Sequence, residues 1–225
     1  IRKEHLRTAK SVFQNLGEQT DLPKVISVIS FHEGTACLED KITEAQTALT
    51  LGAAELDLVL DRTHLSSRDY VKVFQEVTEI VSVATPIPVK VILETGALST
   101  LEIISAAALC SAAGAKFVKT STGFGPGHAT AEAVALLKAV VLNQCEIKAS
   151  GGIRNAESAL TMVFCGATRL GTSASLAICN EIRQTPVHDI HHILKAALDR
   201  ATTAKEQVLS KLGSPSQNLP PSYHP

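Results

Sequence analysis

The sequence predicts an α/β protein built from repeated βα units around a parallel sheet, and three observations carry that expectation. Short apolar runs alternate with longer amphipathic ones along the chain. The apolar runs are rich in Val, Ile and Leu, as strands buried on both faces require. The 225 residues also fall within the ~200–250 that one large α/β domain occupies. With 45% hydrophobic and 19% charged residues, the chain can bury a sizeable core without disulfides or metals, and global disorder is excluded. The 21 basic and 22 acidic side chains leave a formal charge of −1, with no run of like charges. That balance argues against a nucleic-acid or membrane surface, so a bound phosphate must be held by a local site.

Taken in order, the chain opens on Ile1 with a helical stripe of Leu6, Ala9, Phe13 and Leu16 at spacings of three and four. Six strand candidates follow: Lys24–Ser30, Glu55–Leu60, Val89–Glu94, Lys116–Ser121, Glu146–Ser150 and Thr168–Thr172. Between the first two lies the stripe Leu38, Ile42, Ala45 and Leu49. Ser66 reads as the start of a helix carrying Val73, Val77 and Val81, and Ser99-Thr100-Leu101-Glu102 as a capping box. Thr130 and Asn155 are N-cap candidates for helices whose inner faces read as Leu137 with Val141, and Leu160 with Val163 and Phe164. A last long helix begins near Val187. From residue 213 to 225 the sequence has four prolines and no apolar period, which predicts a disordered tail after one catalytic domain over 1–212. Strands spaced about 25–35 residues apart fit an open doubly wound sheet or most of an eight-stranded barrel, and periodicity does not choose between them.

Cys37, Cys110, Cys145, Cys165 and Cys179 are odd in number and form no Cys-x-x-Cys, which predicts buried apolar fillers in a reducing compartment. No leader pattern is seen and no apolar stretch approaches the ~20 residues that span a bilayer, so a soluble, cytoplasmic protein is expected. His188, His191 and His192 share helical spacing with no further ligand placed beside them; a solvated face is expected, and no metal or other cofactor.

The chemistry rests on lysines inside apolar strands, where an ammonium is rarely placed without a purpose. Lys119 in FVKTSTG and Lys148 in EIKASGG lie one βα unit apart, so adjacent parallel strands aim both groups into one space. At ~4 Å and an effective dielectric of ~20 their repulsion is ~4 kcal/mol, enough to hold one amine neutral near pH 7. A neutral lysine attacks aldehydes and ketones to form a Schiff base. The plainer alternative is a structural pairing with a carboxylate such as Glu94. Asp57, a carboxylate in the strand ELDLVL that shares its face with Glu55, is the candidate for moving protons. Gly151-Gly152 and Gly171-Thr172-Ser173 follow strands directly and can turn backbone N–H groups and hydroxyls on an anion, and Thr122 with Gly123 adds donors beside Lys119.

KTSTGFGPGHAT, KASGGIR and RLGTSAS, with GAAELDLVL and VKVILETG, resemble the deoxyribose-phosphate aldolase family in order from about Ile1 to Asn180. The resemblance implies a TIM (β/α)8-type barrel with about six of its βα units in this sequence. It also implies reversible cleavage of 2-deoxy-D-ribose 5-phosphate to glyceraldehyde 3-phosphate and acetaldehyde in deoxyribonucleotide catabolism, without a metal. By motif, the Schiff-base lysine falls on Lys119, the charge-tuning lysine on Lys148 and the proton-transfer aspartate on Asp57. Phosphate contacts fall on Gly151, Gly152, Gly171 and Ser173, with Thr122 and Gly123 at the same end. Expected partners are small phosphorylated sugars and aldehydes, with a homo-oligomer left open. Two features depart from the pattern. The family's first two βα units are not in this sequence, and Phe31-His32-Glu33-Gly34 and Leu60-Asp61-Arg62 differ on loops near the site mouth. A non-catalytic remnant that binds phosphosugar weakly, or acts as an interaction partner, is therefore the second reading.

Overall fold

The computed structural model describes residues 1–14 and 23–213; the expected stripe position Leu16 and the tail from 214 onward lie outside the described residues. The strands are β1 (Ile26–Ile29), β2 (Glu55–Val59), β3 (Val89–Ile92), β4 (Phe117–Lys119), β5 (Glu146–Ser150) and β6 (Arg169–Gly171). They are all parallel and lie in chain order, each beside the next. A doubly wound sheet reverses its order at a switch point. This sheet does not, and that settles the choice left open by periodicity in favour of a barrel-type arrangement.

The sheet is also strongly curled. In a flat sheet β2 and β6 would stand four spacings of ~4.8 Å apart, yet the Arg169 guanidinium on β6 touches the Glu55 carboxylate on β2. The six strands thus form a half-barrel with an inner face. Alternation along each strand then separates two chemistries. Leu56, Leu58, Val91, Val118 and Ile147 point outward into the apolar core beneath the helices, while Asp57, Lys90, Lys119 and Lys148 point inward.

The helices cover the outer face: α1 (Leu6–Gln14), α2 (Leu38–Thr50), α3 (Arg62–Ser66), α4 (Tyr70–Ala84), α5 (Thr100–Ala112), α6 (Ala131–Val141), α7 (Ala156–Cys165), α8 (Ser175–Gln184) and α9 (Val187–Gly213). Ser99 and Glu102 form the expected capping box on α5, and Thr130 and Asn155 cap α6 and α7 by accepting from Ala133 N–H and Ser158 N–H. Three expectations are corrected. Ser66 does not open α4; it ends α3, Arg68 turns the chain at φ 60°, and Asp69 caps α4 by accepting from Lys72 N–H. On α7 the buried face is Ala156, Ala159, Met162 and Cys165, whereas Val163 is 46% exposed. The cause is α9, which lies across α6 and α7 and brings Ala197, Ala201 and Ala204 into the core, so small residues are needed for close approach. Cys110, Cys145 and Cys165 are buried as expected, but Cys37 and Cys179 are exposed. His188, His191 and His192 lie on an exposed face of α9. Among the described residues no helix is long and apolar enough to cross a membrane.

Candidate active site

The inner face of the half-barrel carries a compact charge cluster. Lys119 and Lys148 are register partners on β4 and β5, and both ammonium groups reach the same oxygen of Asp57, Oδ2, each at 2.9 Å. Sharing one oxygen keeps the two nitrogens close. Asp57 Oδ1 is taken by Lys90 Nζ at 2.8 Å, and Lys90 also bonds Glu55 Oε2 at 2.5 Å. Glu55 in turn receives Arg169, whose guanidinium lies 4.5 Å from the centre of the Phe117 ring. Three buried lysines and Arg169, whose side chain is 36% exposed, therefore face two buried carboxylates, and the exposed Lys24 reaches Glu55 Oε1 at 3.7 Å from outside the cluster.

That imbalance sets the protonation states. Burial pushes the Asp57 carboxyl up, but Lys119, Lys148 and Lys90 together outweigh it and hold the group well below the usual carboxylate range. Asp57 is thus a fixed anion. Burial works the other way on Lys148, lowering its pKa; Asp57 opposes the shift, and Lys119 and Lys90 reinforce it. Glu55 is also lowered, because Lys90 and Arg169 overcome its desolvation.

A cleft of about 550 Å³ opens above this cluster. Lys119 and Lys148 form its floor, and Thr122, Gly123, Gly151, Gly152, Gly171 and Ser173 line its walls. No carboxylate is among the lining residues, and Arg154 adds a further cation. The strand ends are locked together. Thr120 Oγ1 donates to Ser150 O and accepts from Ser150 N–H, and Ser150 Oγ donates to Ser121 O. Gly151 and Gly152 have φ of 89° and 74°, left-handed values that a side chain would strain, and His128 packs against both.

Of the residues singled out by sequence, Thr122 has a different set of contacts from the one its place beside Lys119 suggests. Its hydroxyl donates to Glu94 Oε2 while accepting from Phe124 N–H at 3.0 Å and Gly125 N–H at 3.1 Å. The hydroxyl proton is committed to the loop itself. Glu94 likewise does not pair with a strand lysine; it accepts from Thr122 N–H and Oγ1. Sequence reasoning missed Lys90, although the signal was there: it sits in an apolar strand 29 residues before Lys119, as Lys148 sits 29 residues after it. At the mouth, the unusual His32 stacks on Phe124 at 5.8 Å, and Phe31 meets the same ring edge-on at 5.2 Å.

The two loops that carry Glu94 and Thr122 meet at a pair of glycines, Gly96 and Gly127, so close that a Cβ on either would overlap the other's backbone. Gly127→Ala is expected to prise these loops apart and lower stability by about 1–3 kcal/mol, read as a fall in the urea midpoint. An unchanged midpoint would show that the loops yield freely.

Comparison with known proteins agrees with this geometry. A family model described as DeoC/LacD family aldolase matches residues 6–180. A deoxyribose-phosphate aldolase of Coccidioides immitis (strain RS) is 47% identical over 163 residues, which are 71% of this chain and 61% of that protein. One from Thermoanaerobacter sp. (strain X514), of the same name, is 46% identical over 167 residues, 73% of this chain and 74% of its own length. Among solved structures, a protein titled "QR15, an Aldolase" superposes with a TM-score of 0.74 at 38% identity, covering 84% of this chain and 81% of its own. The deoxyribose phosphate aldolase from Aeropyrum pernix, described as a unique tetramer, gives 0.70 at 32% identity, covering 81% and 76%. The matched segment spans β1 to β6 and contains every residue of the charge cluster, and on these grounds the chain belongs to the DeoC/LacD aldolase family.

Proposed function

We propose that the site is a Schiff-base aldolase centre that reversibly cleaves 2-deoxy-D-ribose 5-phosphate to glyceraldehyde 3-phosphate and acetaldehyde. One observation carries the reading: two lysines on a single Asp57 oxygen form the floor of a cleft lined by cations and glycine loops and by no carboxylate. In this reading Lys148, its pKa lowered by burial and by its cationic neighbours, takes the proton from Lys119. The free Lys119 amine adds to the C1 aldehyde and expels water, leaving a protonated imine. Lys148 gives its proton to the departing hydroxyl, and its free amine then accepts the proton of the C3 hydroxyl through a water oriented by Asp57, later returning it to C2. The C2–C3 bond breaks, its electron pair moves into the imine, and glyceraldehyde 3-phosphate departs. Protonation of the resulting enamine at C2 and hydrolysis of the imine release acetaldehyde and restore the amine.

The glycine loops at Gly151-Gly152 and Gly171, with Ser173 and Gly123, hold the phosphate above the lysines. Excess positive charge in the cluster favours an anionic substrate by the same electrostatics that lower the pKa of Lys148.

The test is borohydride trapping in the presence of acetaldehyde, followed by peptide mass mapping. A stable ethyl adduct on Lys119 is the expected result. A folded chain with no adduct would favour a non-catalytic phosphosugar-binding remnant, a reading motivated by the absence of any pairing between β6 and β1 among the described residues.

A further inference from the structure

His128 lines the cleft, and neither the charge cluster nor the proposed mechanism uses its side chain. Its position is set by backbone ties: Ala129 N–H donates to Ser150 O at 3.1 Å and to Gly151 O at 3.2 Å, fastening the loop after β4 onto the loop after β5. The imidazole consequently lies over the two glycines. A Cβ built on Gly151 would stand 3.3 Å from His128 Nδ1, and one built on Gly152 would stand 3.0 Å from His128 Cβ. His128 and the two glycines line the same cleft, so the ring stands beside the turn proposed to hold the anion. Among the described residues neither ring nitrogen has a hydrogen-bond partner. The other charged groups facing the same cleft are Lys119, Lys148 and Arg154, all cationic. An imidazole always has at least one N–H donor, and here nothing within the protein takes it.

We propose that His128 is a specificity-determining ligand of the substrate's phosphate, donating a hydrogen bond that selects phosphorylated over unphosphorylated aldehydes. This deepens the aldolase reading and rests on it for the substrate, but not for the anion. Lys119 and Lys148 serve the reacting carbon at the other end of the sugar, so a donor here acts on binding and leaves the chemical step alone. The packing of the ring on Gly151 and Gly152 is a competing, purely structural role, and the choice of variants separates the two. His128→Gln keeps a donor of similar reach, whereas His128→Phe keeps the packing and removes it.

The first readout is binding of inorganic phosphate to the full chain by titration calorimetry. His128→Phe is expected to weaken it about tenfold, the scale of one hydrogen bond to a charged group, with His128→Gln within about threefold of the parent. Equal affinities for parent and His128→Phe would overturn the proposal. So would equal losses in both variants, which would mark a packing role. The second readout is cleavage of 2-deoxyribose 5-phosphate against 2-deoxyribose. KM should rise about tenfold for the phosphorylated sugar in His128→Phe, with kcat unchanged and the unphosphorylated sugar unaffected. A parent that binds phosphate but cleaves neither sugar would refute the aldolase reading, while the calorimetry would still decide the role of His128.

Discussion

Lys119→Ala is expected to abolish turnover, with kcat falling by on the order of 10⁴-fold or more, as when a covalent nucleophile is removed. Binding of inorganic phosphate should stay close to that of the parent, because the glycine loops proposed to hold the phosphate sit after β5 and β6 and do not depend on the Lys119 side chain. The substitution also removes one of the three ammonium groups on Asp57, yet Lys90 and Lys148 still satisfy both carboxylate oxygens. The variant should therefore fold. Steady-state kinetics beside calorimetry make the comparison, and a variant that retains turnover with phosphate affinity intact would move the nucleophile to another lysine.

The second large effect concerns Asp57. Its removal leaves three buried ammonium groups without their shared anion, and breaking a buried ion cluster from one side costs about 3–5 kcal/mol. Asp57→Ala is thus expected to lower the urea midpoint strongly and to eliminate adduct formation on Lys119. Asp57→Asn, which keeps shape and an acceptor oxygen, should recover part of the stability and little of the chemistry. The pH dependence has a definite sign. The folded carboxyl lies below its unfolded value of about 3.9, so between those two values the unfolded chain holds more protons. The stabilisation by Asp57 is complete above about pH 4 and is lost as pH falls through the folded pKa. Acid titrations of parent and Asp57→Asn should diverge at neutral pH and converge on acidification; parallel curves would show that the carboxylate contributes no stability.

Most of the scaffold was legible because its signals are local. Strand composition, the Ser99–Glu102 capping box and the Thr130 and Asn155 caps depend on neighbours within a turn, and these elements form where periodicity placed them. The pairing of Lys119 with Lys148 was legible for a different reason: parallel strands joined by units of equal length carry equivalent positions into register. What escaped needs distance information. The role of Lys90 depends on its reaching both Glu55 and Asp57, which no spacing rule supplies. Thr122 stands just after β4 in sequence, but its hydroxyl is committed to Glu94 through a loop contact 28 residues away. The buried face of α7 was misread because it is shaped by α9, an element far downstream.

The ion pair between Arg169 and Glu55 spans 114 residues of chain, the longest reach of any side-chain hydrogen bond in the cluster. During synthesis Arg169 follows Glu55 by 114 residues. A nascent chain that has released β2 to β5 already holds Asp57 with all three of its lysines, but the acid beneath them still lacks its guanidinium. Long-range closures of this kind are made late, after the local units have formed. Completion of the charge cluster therefore coincides with docking of β6, and a folding intermediate without β6 holds the three lysines around Asp57 without the finished field around them.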